Sequence, residues 1–188
     1  MSKLTKQRAE ELLKTTTTQP SLWQHAVAVS AAMGAMAKHF NADVEHWEAV
    51  GLLHDYDYQT HPEEHLLHTE RPLRDAGVDE ESIRAVLSHG WIRCNDVEPL
   101  TNMEKALFTV DAASALVGAS AKMRPNGILD LTASSVTKKF KDKSFAATVC
   151  RETIQKGADM LGIDRAEVFT ICIEGMKPHA QQLGIGPR

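Results

Sequence analysis

Histidine and aspartate residues between positions 25 and 111 form a pattern that can support metal chemistry. Five of the nine histidines of the chain lie between positions 54 and 89, namely His54, His61, His65, His68 and His89. Histidine is the commonest metal ligand in proteins, and its charge changes near neutral pH. This concentration of imidazoles makes metal binding the first hypothesis to consider.

Three polar residues lie on the apolar faces of separate predicted helices. His25, His54 and Asp111 share those faces with aliphatic residues at helical spacing. A buried carboxylate without partners is strongly unfavourable, and a divalent cation bound by all three side chains would compensate for its burial. Asp55 can act as a fourth ligand because it follows His54 at a helix end. Each residue alone also fits a structural role, His25 as a hydrogen-bonded core histidine and Asp111 as the partner of an arginine or lysine.

Apolar periodicity predicts that helices position these residues. No segment alternates with period two for long enough to indicate a strand, and we find no repeat or composition shift. We therefore expect one all-α domain over 1–188, a helical bundle with its site-bearing core at about 20–120 and C-terminal helices at 132–186 packed on it. The expected helices are 3–14, one from Pro20, one capped by Asn41, 62–77, one from Asp79 to Gly90, one from a Thr101–Glu104 capping box, 145–161 and 165–183.

The spacing of these residues resembles the H…HD…D signature of the HD-domain superfamily of metal-dependent phosphohydrolases. The matching residues are His25, then Leu52-Leu53-His54-Asp55, then Asp111, and the resemblance is strongest over 23–117. The segments 51–58 and 138–143 are similar to a subgroup of small HD proteins that are mostly described as predicted hydrolases. The resemblance implies an all-helical HD-type fold and a metal held by His25, His54, Asp55 and Asp111.

Some HD proteins bind a second metal through two further histidines between the HD pair and the last aspartate. By resemblance, His89 is the later of these ligands and His65 the earlier, with His68 as the alternative because it lies three residues further along the same predicted helix face. His61 precedes Pro62 and is expected at a capping position. The other interpretation is that these histidines lie on the surface near a one-metal site. Solvent-facing positions are expected for His39, His46 and His179.

The resemblance implies that a metal-activated water hydrolyses a phosphate ester. A bound divalent ion lowers the pKa of water and neutralises charge on a phosphoryl oxygen. Asp55 is expected to serve both as ligand and in catalysis. Asp57 is expected to orient the water or protonate the leaving group, although a loop-capping role fits it equally well. Mixed imidazole and carboxylate ligands suit one or two ions of Fe, Mn, Co, Ni or Zn.

A phosphorylated substrate also requires positive charge. Lys138 and Lys141 belong to a run of four lysines between positions 138 and 143, and Arg124 precedes them. We expect these three residues to bind the substrate phosphate, the lysines as point charges and the arginine through paired hydrogen bonds. A charged run of this kind also fits an ordinary solvated surface. The chain contains no Walker-type phosphate-binding loop, which excludes a P-loop enzyme.

Two other functions fit the same residues. A minority of HD proteins are di-iron oxygenases that act on small phosphonates or polyols, and the six residues His25, His54, Asp55, His65, His89 and Asp111 would serve that chemistry as well. The identity of the metal distinguishes the oxygenase from the phosphohydrolase. A third hypothesis is a non-catalytic regulatory or ligand-binding module in which the metal has only a structural role. The intact set of ligands argues against this hypothesis.

The composition of the chain limits the classes of partner that we expect. The chain has 188 residues and a formal net charge of −4, so no basic surface for a nucleic-acid polymer or an anionic membrane is expected. Its three cysteines form no disulfide framework, which together with the lack of a signal-peptide core predicts a cytoplasmic protein. We expect a small phosphorylated molecule as substrate and allow for a homodimer.

Overall fold

Nine α-helices form within residues 3–188, the part of the chain that the structure, a computed structural model, describes. Between those residues the only β-type pairing is an isolated bridge between Trp91 and Asn95, so the all-α prediction is confirmed. The helices are α1 (Lys6–Leu13), α2 (Pro20–His39), α3 (Val44–Leu53), α4 (Glu70–Asp75), α5 (Glu80–Ser88), α6 (Asn102–Lys122), α7 (Ala133–Lys141), α8 (Arg151–Leu161) and α9 (Arg165–Met176), with 3₁₀ turns at Pro62–Glu64 and Lys177–His179.

Helices α2 and α6 form the centre of the bundle. Helix α2 packs against α3, α6 and α9, and α6 also packs against α5, α7 and α8. Their buried faces are aliphatic and alanine-rich, which gives one continuous core. The C-terminal helices α8 and α9 therefore cover the two helices that carry His25 and Asp111. None of the helices between residues 3 and 188 combines the length and the apolar character that crossing a bilayer requires.

A glycine allows α2 and α3 to approach closely. A Cβ atom on Gly51 would lie 2.9 Å from Cγ of Met33 and 3.0 Å from Cα of Ser30, which is closer than ordinary packing permits. The hydroxyl of Ser30 also donates a hydrogen bond of 2.8 Å to the carbonyl of Glu48 in α3. This close contact brings His54, at the end of α3, beside the first turns of α2.

Several helix starts are as the sequence predicts. Pro20 occupies the first turn of α2. The Asp79 side chain accepts a hydrogen bond from the backbone N–H of Ser82 at 3.0 Å and caps α5. Thr101 and Glu104 form the capping box of α6, with each side chain accepting from the backbone N–H of the other. These caps depend on contacts only three residues apart, so local sequence is enough to predict them.

Three predicted boundaries are wrong. Asp43, not Asn41, caps α3, since Asn41 takes a left-handed conformation with φ of 52° that ends the preceding segment instead. The predicted helix at 145–161 begins only at Arg151, because its guanidinium donates to carbonyl groups in 142–149 and holds that segment as a loop. The helix expected to reach 183 ends at Met176, just before Pro178. Helix α7, at Ala133–Lys141, was not predicted from the apolar periodicity of the sequence.

The predicted helix at 62–77 is also wrong. The chain forms a 3₁₀ turn at Pro62–Glu64 and then turns at Leu66, whose φ of 70° is left-handed, before α4 begins at Glu70. The side chain of Asp57 accepts hydrogen bonds from the backbone N–H groups of Leu66 and His68 at 3.1 Å each. A buried carboxylate thus takes the donors that a continuous helix would use internally, and the segment folds around it.

Candidate metal centre

Six side chains from five segments of the bundle converge at one place. Asp111 lies in the middle of α6 and His25 in the second turn of α2, while the other four follow helix or turn ends. These six are the residues that the sequence proposed as ligands. They fall into three overlapping groups whose ligand atoms lie within 4.8 Å of one another: His25, His54 and Asp55; His54, His89 and Asp111; Asp55, His65 and His89.

One half of the cluster contains two imidazoles and two carboxylates. The Nε2 atom of His25 lies 3.0 Å from Oδ1 of Asp111 and 3.3 Å from Nε2 of His54. The Oδ2 atom of Asp55 lies 3.3 Å from Nε2 of His54 and 3.7 Å from Nε2 of His25. His54 is completely buried, so this half is closed on the side of α3.

Asp55 connects this half to a second one. Its other oxygen, Oδ1, lies 3.3 Å from Nε2 of His65 and 3.5 Å from Nε2 of His89. The two Nε2 atoms of His65 and His89 are themselves 3.2 Å apart. Each oxygen of the Asp55 carboxylate therefore faces a different pair of imidazoles, which is the position of a carboxylate able to bridge two ions.

Backbone carbonyl groups orient two of the imidazoles. Nδ1 of His54 donates to the carbonyl of Gly51 at 2.8 Å, and Nδ1 of His89 donates to the carbonyl of Val86 at 2.5 Å. In both cases the acceptor lies three residues earlier, at a helix end where carbonyl groups lack helical partners. Because a carbonyl only accepts, each Nδ1 carries the proton and each Nε2 presents a lone pair to the cluster.

A carboxylate orients the third imidazole. Oδ1 of Asp57 accepts from Nδ1 of His65 at 2.8 Å and from the backbone N–H of Leu66, and Oδ2 accepts from the backbone N–H of His68. Both oxygens of this buried side chain are engaged by the protein. Asp57 therefore fixes the ring of His65, in the way that carboxylates behind metal-bound histidines do. A direct part of Asp57 in catalysis stays a prediction from the sequence.

The geometry and chemistry of the cluster fit a metal ion. With Nδ1 protonated on His54, His65 and His89, their Nε2 lone pairs face one another and the carboxylate oxygens with no hydrogen between them. Such an arrangement is repulsive unless a cation lies among these atoms. Ligand atoms that share an ion at about 2.0–2.2 Å lie roughly 2.8–3.6 Å apart, and the contacts within each half are 3.0–3.7 Å.

Without a metal, protons must take that place. Burial alone would lower the pKa of His54. The Asp55 and Asp111 carboxylates have the larger, opposite effect, and the pKa is raised well above its ordinary value. Burial likewise opposes protonation of His65, yet Asp55 and Asp57 raise its pKa to about 9. The pKa of Asp111 is lowered, because hydrogen bonds from His25 and His54 outweigh the effect of burial. The cluster therefore attracts positive charge strongly.

The cluster opens to solvent through a cleft of about 430 Å³. We call this the site cleft; five of the six cluster residues line it, all except the buried His54. A volume of this size suits a small-molecule ligand. The other lining residues are Leu22, Tyr58, Pro62, Gly90, Arg93 and Cys94.

The residues that the sequence proposed for substrate binding do not line the site cleft. Arg124 follows α6 and pairs with Asp130 at 2.8 Å. Lys138 and Lys141 are exposed on α7. The cleft wall instead contains Arg93, a residue that was not predicted from the sequence. The one sequence feature that could have indicated Arg93 is its position four residues after His89. Helical periodicity does not reveal it, because Arg93 lies in an irregular loop.

The remaining histidines lie outside the cluster. His68, the alternative to His65, contacts Glu64 at 2.7 Å and stacks on the ring of His61. His39 is exposed, as expected, and His179 is partly exposed. The prediction that His46 faces solvent is wrong, because its side chain is buried and its Nε2 forms a hydrogen bond of 2.8 Å with the hydroxyl of Ser82.

Comparison of the sequence with models of known families, with curated proteins and with solved structures found no match.

Proposed function

We propose that this chain is a metal-dependent phosphohydrolase of the HD type that acts on a small phosphorylated metabolite or nucleotide. The observation that carries the proposal is the convergence of four imidazoles and two carboxylates beside an open cleft, with Asp55 between two ligand sets. Four of these six residues, His25, His54, Asp55 and Asp111, make up the H…HD…D resemblance. The cytoplasmic location and the homodimer expected from the sequence stay predictions.

Hydrolysis requires a nucleophilic water, an oriented phosphoryl group and a proton for the leaving group. A divalent ion supplies Lewis acidity and lowers the pKa of water when it is bound. His25, His54, Asp55 and Asp111 would hold one ion, and His65, His89 and Asp55 a second. In the reaction a water oxygen forms a bond to phosphorus, the ester P–O bond breaks, and the leaving alkoxide takes up a proton.

The chain itself supplies a rigid and chemically defined set of ligands. The hydrogen bonds at Nδ1 of His54, His65 and His89 fix both the tautomer and the ring plane, so Nε2 of each ring points into the cluster before any ligand binds. The site cleft admits a small substrate to one side of the cluster while the closely packed α2 and α3 exclude water from the side of His54.

A second function is favoured by the composition of one half of the cluster. The set His65, His89 and Asp55 contains two histidines and one carboxylate, whereas the other half adds Asp111 to His25, His54 and Asp55. This combination with open positions is typical of non-haem iron oxygenases. A di-iron oxygenase acting on a small phosphonate or polyol is therefore the alternative, and the metal decides between the two.

Metal analysis combined with activity assays tests the proposal. Protein purified without chelator is analysed for bound metals and then assayed on phosphomonoesters and phosphodiesters with Mn²⁺ or Co²⁺, and for oxygen consumption with iron. We expect phosphate-ester hydrolysis that Asp55→Ala abolishes together with metal binding. The matched control is Asp75→Ala, which removes an exposed carboxylate from α4 and should leave both unchanged.

The outcomes separate the candidates clearly. Full metal content and full turnover in Asp55→Ala would refute the site. Two irons with oxygen consumption and no phosphate release would replace the hydrolase with the oxygenase. Bound metal without either activity would leave a structural metal site.

A further inference from the structure

Arg93 differs from every other arginine between residues 3 and 188. Each of the other eight donates a side-chain hydrogen bond within that range, to a carboxylate, an amide or a backbone carbonyl. The guanidinium of Arg93 makes no hydrogen bond or ion pair with any residue in 3–188, and it is the only lysine or arginine in that range that lines the site cleft. Its donors are therefore available to a ligand.

The backbone holds Arg93 firmly in place although its side chain is free. The carbonyl of Gly90 accepts hydrogen bonds from the backbone N–H groups of Arg93, Cys94 and Asn95 at 3.0, 2.7 and 3.3 Å. The side chain of Asn95 donates to the carbonyl of Leu87 at 2.8 Å and ties the loop to α5. Because Gly90 directly follows His89, this tight turn holds the backbone of Arg93 at a defined position relative to the cluster.

The residue before Arg93 is in a strained conformation. Ile92 has a φ of 72°, in the left-handed region that β-branched residues rarely adopt. Its side chain is 62% exposed, so burial of that side chain does not explain the conformation. Backbone strain of this kind concentrates at functional sites, where it holds a neighbouring group in position. Here the strained residue directly precedes Arg93, which lines the site cleft.

The charge of the loaded site defines the ligand that fits it. Two divalent ions with the Asp55, Asp57 and Asp111 carboxylates leave a net charge of about +1, to which Arg93 adds one more. A guanidinium binds two oxygens of one phosphoryl group through parallel hydrogen bonds. A phosphomonoester dianion has three non-bridging oxygens and can contact both the metals and Arg93, whereas a phosphodiester has only two and one negative charge.

We infer that Arg93 recognises the terminal phosphoryl group of the substrate and makes the site selective for phosphomonoesters over phosphodiesters. This inference rests on the proposed hydrolase function. It assigns to Arg93 the role that was predicted from the sequence for Lys138, Lys141 and Arg124. Arg93 is a specificity-determining residue and takes no part in the proton transfers.

The test compares Arg93→Ala and Arg93→Lys with the wild-type protein, all loaded with the same metal. The substrates are 4-nitrophenyl phosphate and bis(4-nitrophenyl) phosphate, and inorganic phosphate serves as competitive inhibitor. Loss of hydrogen bonds to a charged group should raise KM for the monoester and Ki for phosphate by about 10- to 100-fold. Metal content should stay within about twofold, and KM for the diester should rise much less than KM for the monoester. Arg93→Lys should recover part of the loss because it restores only a point charge.

Arg71→Ala is the matched control, since it removes an exposed arginine that pairs with Asp75 and does not line the site cleft. Wild-type KM and Ki in Arg93→Ala would overturn the inference, as would an equal change in Arg71→Ala. If the wild-type protein hydrolyses no phosphate ester, calorimetric binding of inorganic phosphate to the metal-loaded protein separates the two proposals. Binding that Arg93→Ala abolishes would keep the anion site and reject only the hydrolase, and binding independent of Arg93 would reject the site as well.

Discussion

Replacing Asp57 with asparagine should weaken metal binding in one half of the cluster and leave the other half almost intact. Of the six cluster side chains, Asp57 forms a hydrogen bond only with that of His65, which belongs to the half with His89. Loss of a carboxylate that orients a metal-binding histidine typically reduces metal affinity about 10- to 100-fold. The free metal concentration is set between the Kd of the wild-type protein and the Kd of Asp57→Asn for the ion that His65 would bind. At that concentration the wild-type protein should bind two ions per chain and Asp57→Asn one.

The same substitution should also destabilise the metal-free fold. The Asp57 carboxylate accepts three hydrogen bonds, from Nδ1 of His65 and from the backbone N–H groups of Leu66 and His68. An asparagine amide has one acceptor oxygen, so in either orientation at least one buried donor loses its partner. That loss should lower the free energy of unfolding by about 1–3 kcal/mol, which denaturant titration in the presence of chelator measures.

A matched control separates stability from metal binding. Asp79 also accepts from two backbone N–H groups and one side chain, but it caps α5 away from the cluster. Asp79→Asn should therefore destabilise the fold by a similar amount while it still binds two ions. The assignment of Asp57 would be refuted by two ions of wild-type affinity in Asp57→Asn, or by equal weakening of both ions.

Four further outcomes follow from the same geometry. His65→Ala should lower the metal content from two ions to one, whereas His68→Ala should keep two; the reverse result in elemental analysis would exchange their roles. Since the raised pKa of about 9 keeps His65 protonated below that pH, metal binding must release this proton. The affinity for the ion that His65 would bind should therefore rise with pH by about tenfold per unit up to pH ~9, and calorimetry that finds no pH dependence between 7 and 9 would contradict this. Saturation with metal at 100 times Kd should add about 2.7 kcal/mol and raise Tm by about 5–10 °C in calorimetric scans, an increase that a chelator should reverse. Gly51→Ala should cost about 1–3 kcal/mol, because its Cβ would meet Met33 and Ser30; unchanged stability in denaturant titration would argue against the close approach of α2 and α3.

The sequence by itself determined the helical architecture and the chemical types of the site residues. Long apolar periodicity identified α2 and α6, and capping signals located the starts of α5 and α6 at Asp79 and Thr101. These features depend on residues three or four positions apart, so the local sequence contains the information. The choice of His25, His54, Asp55 and Asp111 as one set came from polar residues at apolar positions of separate predicted helices and from the family resemblance. The structure brings these four together.

Only the tertiary structure decided how the irregular segments complete the site. The sequence predicted one helix through His65 and His68, yet Asp57 captures backbone donors of that segment and turns His65 into the cluster. The sequence likewise predicted phosphate binding by a lysine run, and only the structure shows that the turn closed by the Gly90 carbonyl brings Arg93 to the cleft. In both cases a polar group outside the helical pattern determines the path of the chain. Such contacts depend on which residues meet after folding, and periodicity along the sequence does not encode them.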